Sequence, residues 1–127
     1  MFLSYVKVGF IAGFITTVIA NLLFFTLGLV FGHEANFIGQ ERDTLYIVFI
    51  TFATFTAVFL SSIIFYFLQK ISKKPLLWFY IVVIFGFVFN TYTAEVDLLD
   101  EYKLTAHFLH AAVSLLAIYL VPMLSRK

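Results

Sequence analysis

Apolar residues in this chain come in long blocks, with polar positions gathered between them. Formal charges are absent from four stretches, 8–33, 44–69, 75–94 and 104–125, each 20 residues or longer. A helix rising ~1.5 Å per residue crosses ~30 Å of hydrocarbon in ~20 residues, so each stretch predicts one transmembrane helix. Runs such as Ile47-Val48-Phe49-Ile50 and Ile81-Val82-Val83-Ile84-Phe85 lack the two-residue alternation of barrel strands, which excludes a β-barrel. The predicted fold is all-α: an integral membrane four-helix antiparallel bundle. It occupies 1–127 as a single transmembrane domain, with helices over about 5–32, 43–69, 75–94 and 103–124.

The connections are short, which makes consecutive helices antiparallel neighbours and leaves no room for a soluble domain. Pro75 sits in the first turn of the third helix, where a missing N–H costs nothing. Pro122, one turn before the end of the fourth, loosens only its last turn. The first stretch follows Lys7 as a signal peptide would, but it outruns the ~7–15 residues of a signal core, and no small-x-small site follows Phe31-Gly32-His33. It reads as a mature helix.

Composition agrees with the pattern: 63% of residues are hydrophobic, 12% are charged and 18 are Phe, against roughly a quarter charged in a soluble domain. The absence of cysteine excludes disulfides, thiolate metal sites and cysteine nucleophiles. Net charge is only +1, but its distribution is uneven. Lys7, Lys70, Lys73, Lys74, Arg126 and Lys127 fall on one side of a four-span arrangement with no acid among them. Glu34, Glu41, Arg42, Asp43, Glu95, Asp97, Asp100, Glu101 and Lys103 fall on the other. By the positive-inside rule both termini and the middle loop are cytoplasmic. Tyr5, Tyr66, Trp78, Tyr80 and Tyr119 then form the inner aromatic belt, and Tyr46, Tyr92 and Tyr102 the outer one.

Helices in lipid associate through small residues that let backbones approach. The first helix carries such a stripe in Gly9, Gly13, Thr17, Ala20 and Asn21, continued by Gly28 and Gly32. The second offers Ala53, Ala57 and Ser61, the third Gly86 and Asn90, and the fourth His107, His110, Ala111, Ser114 and Ala117. Packing within the chain is the plain reading of Gly9, Gly13, Gly28, Gly32 and Gly86; homodimerisation is the alternative.

Thr26, Thr51, Asn90 and His110 lie roughly 8–12 Å below the outer boundary at ~1.5 Å per residue, with Asn21, Thr54 and Ser114 a layer deeper. If the stripes face inward, these residues line a polar pocket open to the outside, with Asn21, Thr51, Asn90, His110 and Ser114 as the candidate ligand contacts. Polar groups at membrane depth mark functional sites, although Ser and Thr commonly bond their own helix's carbonyls. Asn21 and Asn90 equally suit structural bonds between helices.

His107 and His110 share a face with metal-ligand spacing, but the other candidates, His33, Glu34, Asp97 and Asp100, fall in outer loops, so no metal site is expected. No other span supplies a histidine to face them across a haem. Proton-coupled carriers usually keep a carboxylate in the membrane, and no span here holds Asp, Glu, Lys or Arg. Nucleophilic catalysis would require Ser61, Ser62 or Ser114 beside a base, and the two serines of the second helix lie near the cytoplasmic end, across the membrane from both histidines of the fourth. The middle-loop lysines suit anionic lipid head groups rather than nucleic acid.

Val8-Gly9-Phe10-Ile11-Ala12-Gly13, Asn21-Leu22-Leu23-Phe24, His110-Ala111-Ala112-Val113 and Val121-Pro122-Met123-Leu124 form a set that resembles the small bacterial four-span membrane proteins grouped as domain of unknown function six-zero-six-nine. The resemblance implies a four-helix membrane protein without an assigned activity and singles out Asn21 and His110. The chain is also similar in length and span count to small fluoride channels. Their third-helix Thr-Thr-Phe-Ser type signature is missing; the nearest run, Thr51-Phe52-Ala53-Thr54-Phe55-Thr56, is in the second helix. Their antiparallel dimers also need balanced charge, which the uneven distribution opposes. Small multidrug exporters carry a first-helix glutamate that is absent here.

The expected protein is a multi-pass component of the bacterial inner (plasma) membrane, not an enzyme and without a cofactor. It binds a small ligand or lipid in the outward-facing pocket. The alternatives are an accessory subunit acting through helix packing and an oligomeric small-ion channel or carrier. Expected partners are membrane lipids, a second copy or another membrane protein, and no nucleic acid.

Overall fold

The computed structural model describes residues 2–33, 38, 46–97 and 100–126. These form four helices, α1 (Phe2–Phe31), α2 (Ile47–Ile71), α3 (Pro75–Asp97) and α4 (Asp100–Ser125), with no strand among the described residues. All four are long and apolar enough to cross a membrane. Of the charges used to orient the chain, Glu34, Glu41, Arg42, Asp43 and Lys127 lie outside the described residues, as do the side chains of Asp97, Asp100 and Glu101.

The helix ends differ from the charge boundaries. α2 starts at Ile47 rather than near 43, whereas α3 and α4 run past Ala94 and begin before Lys103. A formal charge marks where hydrocarbon should end, but backbone hydrogen bonds continue through a polar interface without penalty. Pro75 opens α3, whose first bond runs from the Trp78 N–H to the Lys74 carbonyl (3.3 Å). The Ser72 hydroxyl accepts from the Lys74 N–H (3.1 Å), tightening the turn between α2 and α3.

α1 packs along α2 and α4, α3 packs on α4 and more sparsely on α2, and α2 meets α4 across the centre; α1 and α3 do not touch among the described residues. The beginning of α1 lies against the end of α2. There the buried Ser62 hydroxyl donates to the Tyr5 carbonyl (2.7 Å), the Tyr5 hydroxyl donates to the Gln69 side-chain carbonyl, and the Tyr5 and Tyr66 rings sit 5.1 Å apart. Lys70 places its ammonium 4.8 Å from the Tyr66 ring centre. Two of the belt tyrosines are thus buried in a seam between helices, where tilted ring contacts and the Tyr5 hydrogen bond replace contact with lipid.

Glycine makes that seam close. A methyl added at Gly9 would stand 2.9 Å from the Phe59 ring and 3.3 Å from both its Cα and its carbonyl oxygen, and one at Gly13 would stand 2.9 Å from the Phe55 ring. The two phenyl rings, 6.2 Å apart and stacked, lie along the surface that α1 leaves open, with the Phe10 ring edge-on to both.

Buried apolar residues form two clusters. One joins Val8, Ala12, Val58, Phe65, Phe79, Val83 and Val121; the other joins Ala20, Phe24, Ile50, Ala94, Tyr102, Ala106 and Leu109. Along α1, α2 and α4 the residues between them include Thr16, Thr54 and His110, so a polar belt divides the core.

Candidate functional site

The belt opens into a cleft of about 300 Å³ walled by α2, α3 and α4. Its floor is laid by Ala106, Leu109, His110 and Val113 of α4, together with the buried Ile50 and Thr54 of α2 and Ala94 of α3. Phe49, Ala53, Ala57 and Asn90, all exposed, form its rim. The cleft exists because α2 presents alanines where a larger side chain would close the gap to α3.

Four polar side chains line it: Thr54, Asn90, Thr93 and His110. The Thr93 hydroxyl donates to the Asn90 carbonyl in its own helix (2.9 Å), which satisfies it locally. His110 is half-buried, and its Nδ1 is enclosed without a partner among the described residues. Among the described residues, no Asp, Glu, Lys or Arg lines the cleft. The arrangement supplies hydrogen bonds to a neutral molecule and no charge to neutralise an ionic one.

Less than one turn of α4 separates His110 from the outer edge of the cleft. His107 Nε2 lies 2.6 Å from Glu95 Oε1, joining α4 to the end of α3 close to the cleft residues Thr93, Ala94 and Ala106. With its carboxylate 55% exposed, that pair is a water-facing clasp and contributes little to stability. Among the described residues, no three His, Cys, Asp or Glu side chains gather as a metal-binding group.

No protein family, curated protein or solved structure matches the chain.

Of the five residues expected around one pocket, Asn90 and His110 line the cleft, and Asn21, Thr51 and Ser114 do not. Asn21 instead spans α1 and α2, its amide donating to Thr51 Oγ1 (3.0 Å) and to the Thr17 carbonyl (3.1 Å). The expected layering, with Asn21 a step deeper than Thr51, is corrected by this bond. α1 extends more than two turns beyond Asn21 whereas α2 begins only four residues before Thr51, so counting from charged boundaries misplaces one against the other. Thr26 is exposed and its hydroxyl donates to the Leu22 carbonyl (2.9 Å); Ser61 bonds the Ala57 carbonyl in the same way (2.8 Å).

His33 also departs from expectation. Rather than lying in an open loop, it is 6% exposed, with its Nε2 2.6 Å from Thr105 Oγ1 and its ring stacked on Phe24 at 5.4 Å. Gly32 makes the return: at φ +80° it takes a conformation that favours glycine and turns the chain back on α1. Gly28 leaves room for it, since a methyl there would lie 3.0 Å from the His33 carbonyl oxygen. Gly28 therefore seats a histidine rather than a helix, and Gly32 makes a turn. Gly86, also expected at a packing face, has nothing within 4 Å of an added methyl.

Thr54, expected in the deeper layer, does line the cleft; Thr93 is a lining residue that the expectation omitted, and Glu95 is the omitted partner of His107. A signal for the first existed in Ala53-Thr54 and Ala57, one small face on α2; nothing in the sequence alone pairs Glu95 with His107 rather than with another outer charge.

Proposed function

We propose that the chain is a multi-pass plasma-membrane protein whose four helices run antiparallel, with both termini and the 72–74 turn in the cytoplasm, and that it binds a small ligand without catalysing a reaction. The observation that carries the binding role is the cleft between α2, α3 and α4, where Thr54, Asn90, Thr93 and His110 line a mostly apolar wall. Concave, mostly apolar sites with a few converging polar groups are where small molecules bind. The likeness of the Asn21 and His110 segments to a small four-span family fits this reading but names no ligand.

Native mass spectrometry of the protein in lipid nanodiscs tests the role. The wild type should retain a non-covalent small molecule that Ala53→Phe loses; equal retention, or none in either, would refute it. Orientation is testable because the chain has no cysteine. A cysteine at Ser72 should react with an impermeant maleimide only in inverted vesicles, and one at Ile38 only in right-side-out vesicles.

A second reading, association with another membrane helix, is favoured by one observation: Gly86 lies among exposed Ile81, Val82, Phe85 and Phe89 on α3 with no neighbour. The Gly9 and Gly13 face is occupied by Phe59 and Phe55 of the same chain, so such association would use α3.

A further inference from the structure

We propose that the cleft draws its ligand sideways from the membrane, and that the ligand is an uncharged amphiphile with a compact oxygen-bearing head, an alcohol or ketone, on an apolar body. The proposal rests on the reading of the cleft as a binding site and specifies the chemistry of its occupant.

The position of the mouth comes first. Its rim, from Phe49 to Ala57 on α2 and Asn90 on α3, runs for eight residues along the flank of helices long enough to span a membrane, or ~12 Å at ~1.5 Å per residue. A flank at that depth is bathed by lipid, so what reaches it is dissolved in the bilayer. Size is the second constraint. About 300 Å³ is roughly ten water volumes at ~30 Å³ each, enough for a head and the first few carbons of a chain but not for a whole phospholipid.

Charge is the third. Among the described residues no Asp, Glu, Lys or Arg lines the cleft, so a phosphate, carboxylate or ammonium head would leave water and find no counter-ion there, a cost that hydrogen bonds alone do not offset. The remaining polar groups are suited to an oxygen atom. In the neutral His110 ring one nitrogen carries the proton; an enclosed N–H with no acceptor is costlier than an enclosed lone pair, which assigns the proton to Nε2 and leaves Nδ1 bare. Nε2–H and the Asn90 amide are then donors and the Thr54 hydroxyl either donor or acceptor, a set that an alcohol or ketone oxygen satisfies.

The test is photolabelling with 3-azioctanol, a membrane-dissolved alcohol, of the protein in phosphatidylcholine nanodiscs, with mapping by peptide mass spectrometry. Saturable labelling should fall on the cleft and be displaced by 1-octanol but not by octanoate at equal membrane concentration. Ala53→Phe should cut it at least about tenfold, because a phenyl ring fills the mouth. Asn90→Leu should cut it about fivefold, the worth of one hydrogen bond, while Gly86→Phe, outside the cleft, leaves it unchanged. Equal displacement by octanoate would overturn the choice of head and leave ligand binding standing. Absence of saturable labelling by the alcohol, together with no binding of octanoate, would remove both, and saturable labelling untouched by Ala53→Phe would overturn the cleft as its place.

Discussion

The contact between α1 and α2 makes a prediction that distinguishes two glycines of the same stripe. Alanine at Gly9 brings its methyl 2.9 Å from the Phe59 ring and 3.3 Å from the Phe59 Cα and carbonyl oxygen, so turning the ring does not relieve it and the helices must separate. At Gly13 the three nearest atoms to the methyl all belong to the Phe55 ring, the closest at 2.9 Å, and a half-buried ring can swing away. Overpacking costs ~1–3 kcal/mol, and replacing a helical glycine with alanine returns ~0.5–1 kcal/mol. Gly9→Ala should therefore destabilise the bundle by about 1–2 kcal/mol, and Gly13→Ala should be within about 0.5 kcal/mol of wild type. Reversible unfolding in mixed micelles by increasing dodecyl sulfate, followed by helical circular dichroism, measures both. Equal effects, or greater damage at Gly13, would refute the close seating of Gly9 on the α2 backbone. If Gly9→Leu kept the monomer stable while dissolving an oligomer, the face would belong between chains instead.

Other expectations follow from single contacts. A double-mutant cycle on Asn21→Leu and Thr51→Val should give a coupling of about 0.6 kcal/mol, at most ~1.7, as for other hydrogen bonds between membrane helices; zero coupling in the same unfolding assay would contradict the α1 to α2 bond. Gly28→Val should expel His33 from its seat beside Phe24 and Thr105 and raise its modification by diethyl pyrocarbonate several-fold, an increase that an unaltered rate would disprove. Ser62→Ala removes the buried donor to the Tyr5 carbonyl and should cost about 1 kcal/mol, whereas Ser61→Ala, which loses only a bond within its own helix, should be nearly neutral. Glu95→Gln should change stability by less than about 1 kcal/mol, less still in high salt, because the clasp with His107 faces water.

Much of the fold is legible because it depends on block length alone. Four uncharged stretches give four helices, and the glycines at 9 and 13 announce a close neighbour whichever helix supplies it. The site is only half legible because it depends on register between helices. Depth counted from the nearest charge puts Asn90 and His110 near each other, and both do line the cleft. The same counting fails for Asn21 and Thr51, since α1 outreaches the start of α2 by more than a turn and no residue type reports that offset. His33 was hidden for a different reason. Its burial depends on Gly32 reversing the chain, and a histidine next to an acidic loop reads as a loop residue unless the reversal is foreseen.

The small residues of this chain have opposite consequences on the two faces of α2, and the partner helix decides which. Toward α1, α2 sends Phe55 and Phe59 into the space left by Gly13 and Gly9, so absent side chains on one helix are replaced by rings from the other. Toward α3 it offers Ala53 and Ala57, and α3 replies with Asn90, Thr93 and Ala94, none of which reaches across. In lipid no hydrophobic force presses helices together, so contact surface is what holds them, and a gap of about 300 Å³ is attraction forgone. His110 adds to that cost, since its Nδ1 is enclosed without a partner among the described residues. A bundle that one larger side chain at Ala53 could close instead keeps both the space and the hydrogen-bonding groups that line it, which is the arrangement the proposed binding role requires.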